Sequence, residues 1–216
     1  MRRLIELWRR VSMHPWLRAS TDRRVVRKWQ RAGCPIPPPP PVKQAIVKEY
    51  QSRFGPRVFI ETGTFAGGMI DAVRSRFDRV VSIELDPRWH ARAIDRFRSD
   101  SRVTLLLGDS GLILPEVVAD LTEPALFWLD AHYSGPATAR GALDSPIVRE
   151  LDAIRAHGIR HVVLIDDIRD FQGNNGYPTA GELIGWIRTV APESVVEVRD
   201  DILRWHPDDS AIRPEP

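Results

Sequence analysis

Val58-Phe59-Ile60-Glu61-Thr62-Gly63-Thr64-Phe65-Ala66-Gly67-Gly68 is the stretch whose reading decides the fold. Its apolar, β-branched start reads as a buried strand. An acid and a glycine end the strand, and a helical pattern follows over about 68–77. Strand, glycine turn and helix form the unit with which an open α/β sheet builds a ligand crevice at the carboxyl end of its first strand. Gly63 lets the backbone approach a ligand with no Cβ in between. The helix that follows points its free N–H groups at the same place. Glu61 then sorts the ligands: a carboxylate repels phosphate but suits a ligand carrying an ammonium group. The dinucleotide fingerprint G-x-G-x-x-G needs glycine where this chain has Phe65, so that reading fails.

Outward from this unit, strands and helices alternate, which predicts a parallel sheet covered on both faces. Strands are expected at Val58–Glu61, Val80–Glu84, Val103–Leu107, Leu126–Asp130 and Val162–Asp166. Helices are expected over about 68–77, 87–98, 112–120 and 146–157, with Pro87 suited to a first helical turn. A last helix near 180–190 precedes Val195–Val198 and Ile202–His206, which Arg199-Asp200-Asp201 joins as a hairpin. The fold class is therefore α/β: a Rossmann-like, doubly wound, mostly parallel seven-stranded sheet ending in an antiparallel hairpin.

The chain has 216 residues, enough for one domain with an appendage. A charged share of 28% and a hydrophobic share of 43% are ordinary for a globular protein. Cys34 is the only cysteine, so no intrachain disulfide exists and a cytoplasmic setting is the expectation. No apolar run reaches the ~20 residues of a membrane span. The charged start leaves no room for a signal peptide. Within residues 1–31, ten basic residues face only Glu6 and Asp22, which leaves the remainder mildly acidic.

Residues 1–34 read as a basic helical segment, 35–41 as a proline-rich linker and 42–216 as the main domain. Two short helices broken near Pro15 are expected in the first segment, with Thr21 capping the second. Leu4, Leu7, Trp8 and Val11 make one apolar stripe among arginines. Such a segment suits packing on the main domain or on a second copy in a homodimer. It also suits contact with an anionic membrane, here the inner surface, or binding of nucleic acid. Pro37 to Pro41 reads as an extended, stiff spacer, followed by a helix from Val42 to Arg53.

Acids recur at strand ends: Glu61, Glu84, Asp109 just after the third strand, Asp130, and Asp166 with Asp167. Singly, each also suits a helix cap or a solvated loop. If the strands ending in Asp130 and Asp166 are neighbours, they lie ~4.8 Å apart and three carboxylates converge. Three acids in one crevice repel unless protonated or bridged by a cation. An all-oxygen set favours a hard ion such as Mg²⁺ or Ca²⁺. The alternative is that one aspartate caps a helix and another faces solvent.

Glu-Thr-Gly-Thr-Phe-Ala-Gly-Gly resembles the first motif of class I S-adenosylmethionine (SAM)-dependent methyltransferases. Leu-Asp-Ala-His followed by Ile-Asp-Asp resembles the metal-binding acids of Mg²⁺-dependent O-methyltransferases of the catechol and macrolide-sugar types. The run from Pro37 to Pro207 is similar to a bacterial family of methyltransferase-like proteins. It shares Ser-Ile-Glu-Leu, Gly-Asp-Ser, Phe-Trp-Leu-Asp-Ala-His-Tyr-Ser-Gly, Leu-Ile-Asp-Asp and Tyr-Pro. The resemblance implies that Glu61, Gly63, Thr64 and Phe65 hold the amino-acid end of SAM. It places Glu84 at the ribose and Asp109 with Ser110 at the adenine. Asp130, Asp166 and Asp167 become ligands of Mg²⁺ or another hard divalent cation.

The implied reaction is methyl transfer from the sulfonium to a substrate oxygen oriented by the metal. Catechol-type enzymes carry a lysine three residues after the first metal acid, where this chain has Tyr133. The only lysines are Lys28, Lys43 and Lys48, so that base is missing, and His132 is the substitute beside Asp130. His132 suits a structural hydrogen bond as well. The loops 133–145 and 167–181 would form the acceptor pocket, where Arg140, Arg169 and Tyr177 suit either a sugar-like or anionic acceptor or solvated loop positions. The expected acceptor is a hydroxyl of a glycan or small molecule. Nucleic acid is disfavoured, because no Pro-Pro-Tyr type of motif follows the fourth strand. The rivals are a non-catalytic SAM- or glycan-binding regulatory module and a metal-dependent hydrolase.

Overall fold

A computed structural model describes residues 15–130, 146–174 and 176–208. Its strands are β1 (Val58–Thr62), β2 (Arg79–Glu84), β3 (Val103–Leu107), β4 (Ala125–Leu129), β5 (Val162–Ile165), β6 (Ser194–Arg199) and β7 (Ile202–Pro207). They form one seven-stranded sheet in the order β3-β2-β1-β4-β5-β7-β6. The first five are parallel, and β7 pairs antiparallel with both β5 and β6. The expected fold class is the observed one. The sheet reverses direction of growth between β1 and β4, which puts the crevice beside the glycine turn after β1.

The helices are α1 (Pro15–Arg31), α2 (Pro40–Phe54), α3 (Gly68–Val73), α4 (Pro87–Phe97), α5 (Ser110–Ala119), α6 (Ile147–Ala156) and α7 (Ala180–Val190). Side chains alternate between the faces of a strand, and two cores result. Ile60, Val81, Ile83, Phe127, Val163 and Ile165 pack with residues of α5, α6 and α7. Phe59, Val80, Leu126, Trp128, Val162 and Leu164 pack with residues of α2, α3 and α4. Glu61 and Ser82 share the parity of this second face, and Asp130 and Asp166 continue it past the strand ends.

Several boundaries differ from expectation. Thr21 lies inside α1 rather than capping it, because Pro15 already supplies a preset φ for a first turn. α2 begins at Pro40, not Val42, so the extended spacer is shorter than the run Pro37–Pro41 suggested. Pro40 and Pro41 occupy first-turn positions, where the N–H that proline lacks would have had no partner. The helix expected to reach Phe77 stops at Val73 and continues as one 3₁₀ turn, Arg74–Arg76. Val26 and Trp29 of α1 pack against the α2 side of the core, and the Trp29 indole donates to the Pro35 carbonyl at 2.8 Å. The second helix of the basic segment thus packs on the main domain, one of the uses its pattern suggested.

The C-terminal hairpin turns on Asp200 and Asp201, with φ of +54° and +62°. Two consecutive left-handed residues match the twist of the flanking strands. Because β7 runs antiparallel to β5, with Ile165 opposite Leu203, this turn sits at the carboxyl end of β5.

Candidate active site

The carboxyl edge of the sheet gathers the predicted acids in two groups. At β1 and β2, Glu61 stands beside Ser82 in register, and the Ser82 hydroxyl donates to its carboxylate at 2.7 Å. Thr64 Oγ1 lies 2.6 Å from the same Ser82 oxygen. Glu61 is only 2% exposed. Burial pushes its carboxyl well above the usual range, the Ser82 hydrogen bond opposes this, and the charges of Asp130 and Glu84 add to it. Among the described residues no cationic side chain bonds Glu61. Its ionised form has no bonded cation among the described residues to answer it.

The turn after β1 is held from the neighbouring strand. Glu84 accepts the Phe65 N–H at 2.7 Å and the Asp86 N–H at 2.8 Å. Phe65 adopts φ +45° and Gly63 φ +89°, so this anchoring offsets a backbone that glycine tolerates and phenylalanine resists. The Phe65 ring, almost half exposed, meets Trp89 at a centroid distance of 4.2 Å. Trp89 was not singled out in the sequence, although Pro87 at a first-turn position already placed it beside the crevice. Asp109 caps α5, accepting the Gly111 N–H at 2.8 Å, and Ser110 is buried beside it.

The second group lies at β4 and β5. Leu129 and Ile165 are paired, so Asp130 and Asp166 follow side by side, and the Asp166 N–H donates to the Leu129 carbonyl at 3.0 Å. Oxygens of Asp130, Asp166 and Asp167 lie within 4.8 Å of one another. The convergence expected from the sequence is present. Asp167 takes φ +53°, and its N–H donates to the Asp166 carboxylate at 2.9 Å, which turns both acids inward.

A lysine stands among these acids. Lys43, from the first turn of α2, donates to Asp166 Oδ2 and, at 2.9 Å, to Asp167 Oδ1. Strand β1 begins just after α2 ends, so the helix runs back over the sheet and its start lies at the carboxyl edge. The missing-lysine expectation is corrected here: the place after Asp130 holds no lysine, but a distant helix delivers one to the cluster. Burial pulls the Lys43 ammonium down, yet Asp166, Asp167 and Asp130 outweigh it and hold its pKa above the ordinary value. Arg169 adds a second cation, donating to Asp167 at 2.7 Å and to Asp201 of the hairpin turn. Arg169, which suited either an acceptor contact or a solvated loop, here bonds these acids. Burial and the Asp130 charge push the Asp166 carboxyl up to about 8, against the pull of Lys43.

Tyr177 packs edge-on against Phe171 at 5.1 Å. His132, Arg140 and the whole loop 133–145 lie outside the described residues. His157 and His161 sit at the other end of the sheet, after the end of α6 and just before β5. The Ala125 N–H donates to His161 Nδ1, so the other His161 nitrogen bears the proton facing His157 Nδ1 at 3.1 Å. His157 Nε2 then donates to the Leu121 carbonyl at 3.0 Å.

The donor set fits both groups that the sequence resemblance implied. A carboxyl buried without a cation suits the ammonium of an amino-acid ligand, and three converging oxygens around a lodged ammonium suit a hard cation. Among the described residues no helix is long and apolar enough to cross a membrane.

No protein-family model matches the chain, and no curated protein matches it. Solved structures do. A putative caffeoyl-CoA O-methyltransferase from Staphylococcus aureus superposes with a TM-score of 0.55 at 14% identity, over 96% of this chain and 98% of that one. TomG, an O-methyltransferase from Streptomyces achromogenes in complex with SAM, gives a TM-score of 0.54 at 16% identity, over 87% and 89%. The SAH-bound methyltransferase PaMTH1 from Podospora anserina gives 0.54 at 14% identity, over 85% and 87%. The sheet order, the antiparallel hairpin and these likenesses together show that this chain has the class I SAM-dependent methyltransferase fold.

Proposed function

We propose that the protein is a SAM-dependent O-methyltransferase, assisted by a divalent metal, that methylates a hydroxyl of a sugar or small metabolite. The observation that carries this reading is the placement of two complementary carboxylate groups on one face of one crevice. Glu61 on β1 would meet an ammonium, and Asp130, Asp166 and Asp167, at the ends of the next two strands, converge as candidate oxygen ligands.

When bound, SAM supplies a methyl group on a sulfonium, and a hard divalent ion at the three aspartates supplies a Lewis acid that lowers a hydroxyl's pKa. Glu61 would hold the ammonium end, with Ser82 and Thr64 keeping its carboxylate oriented. Glu84 fixes the turn at Phe65, so the approach path over Gly63 is set before any ligand arrives. Phe65 and Trp89 pack together over that turn and give it apolar surface. Arg169, clamped between Asp167 and Asp201, fixes the Asp167 carboxylate.

The test is a calorimetric titration of SAM into the full chain, with Mg²⁺ and then with EDTA. Binding that disappears in Glu61→Ala and tightens with Mg²⁺ is the expected result. A folded protein that does not bind SAM would overturn the reading. SAM binding indifferent to metal would reduce it to a metal-free transferase or a regulatory binder.

A further inference from the structure

Lys43 sits where the proposed metal would sit. Its ammonium bridges Asp166 and Asp167, and Asp130 lies close enough to favour its charge. The three acids also define the one cluster of possible metal-ligating groups among the described residues. A divalent ion placed among these oxygens would repel the nearby ammonium and compete with it for the same lone pairs, on a carboxylate that already accepts from both Lys43 and Arg169 at Asp167 Oδ1. The lysine chain is long and flexible, and its side chain is 17% exposed, so it has a way out.

We infer that Lys43 is a tethered competitor for the metal: its ammonium holds the acid cluster together when no ion is bound and must leave for a divalent cation to enter. This rests on the metal site proposed above. Lys43 thereby sets metal affinity and keeps the site closed to weakly binding cations. The device follows from α2 starting at the carboxyl edge, which places the first-turn residue 43 over the ends of β4 and β5. Arg169 does not share the role, because the same Nη1 that reaches Asp167 is also held by the buried Asp201 of the hairpin turn.

The experiment is Mn²⁺ binding to the full chain, read from the loss of the free-ion electron paramagnetic resonance signal. Wild type, Lys43→Met, Lys43→Gln, Lys43→Arg and Asp166→Asn are compared, with thermal unfolding recorded with and without Mg²⁺. Lys43→Met and Lys43→Gln should bind Mn²⁺ about tenfold or more tightly than wild type, and Mg²⁺ should raise their melting temperature more than that of wild type. Lys43→Arg, which keeps the charge, should stay near or below wild type. Equal or weaker binding by both neutral variants would overturn the inference while leaving the metal site standing. Binding by no variant, or binding undiminished by Asp166→Asn, would overturn the metal site itself and the inference with it.

Discussion

The two ends of the sheet handle buried polar groups in opposite ways. At the amino end, His157 and His161 form a neutral chain in which each nitrogen with an observed partner is satisfied, from the Ala125 N–H to the Leu121 carbonyl. At the carboxyl end, Glu61, Asp130, Asp166 and Asp167 are packed together with their charges only partly answered. Glu61 receives a hydroxyl, and the three aspartates share Lys43 and Arg169. One end is settled by neutral hydrogen bonds. The other is left in electrostatic tension, which binding can relieve.

Opposite responses to acid follow. Burial and the neighbouring His157 lower the His161 pKa from 6.5 to about 4. Its contribution to stability is full above pH 6.5 and is lost as pH falls toward about 4. The Asp166 carboxyl is raised from 3.8 to about 8, so its contribution is present below 3.8 and lost as pH rises through about 8. Urea unfolding of wild type and His161→Gln at pH 7 and pH 4 separates the two ends. The wild type should lose ~3 kcal/mol more on acidification than the variant. Equal losses would break the comparison.

Ser82→Ala removes the neutral donor that favours the ionised form of Glu61 against its burial. SAM should bind about tenfold or more weakly by calorimetry, because a hydrogen bond to a buried charge is lost. An unchanged affinity would mean that Ser82 does not support the Glu61 carboxylate in holding the ligand. Arg169→Ala withdraws one of the two cations that answer the aspartates and leaves Asp201, only 1% exposed in its side chain, without that partner. Denaturation should show a loss of ~1–2 kcal/mol, discounted because Arg169 itself is one third exposed.

How much of this could be read from the sequence depended on whether the signal was local. The strands announced themselves as short apolar runs ending in acids, and the hairpin by a two-aspartate turn. The convergence of Asp130 with Asp166 and Asp167 required only that β4 and β5 be neighbours. Lys43 left no such mark. It lies 123 positions before Asp166, and placing it needed the direction and start of α2. The prolines hid that start, since Pro40 and Pro41 fit both an extended spacer and a first helical turn. Ser82 was equally silent, because a serine within an apolar strand shows its partner only once the register is known.

The smallest expected effect concerns the loop after β5. Thr179 and Glu182 form a reciprocal capping box at the start of α7, with the Glu182 N–H donating to Thr179 Oγ1 at 3.1 Å and the Thr179 N–H donating to Glu182 at 2.8 Å. Thr179→Ala should cost ~1 kcal/mol in unfolding measurements. SAM affinity should be unaffected. A matching loss of binding would extend the ligand-sensitive end into this loop.

The hairpin turn has a consequence for the order in which the molecule is made. Arg169 is clamped by Asp201, and the Asp201 carbonyl also accepts the Ile168 N–H at 3.0 Å. A nascent chain with β1 to β5 already emerged would hold all the acids of the crevice but not the clamp that orients Arg169. β7 must pair with β5 before Asp201 can hold Arg169, which the chain already carries, against Asp167. Assembly of the site is thus tied to the arrival of the hairpin, through contacts of long sequence separation, the kind that form late.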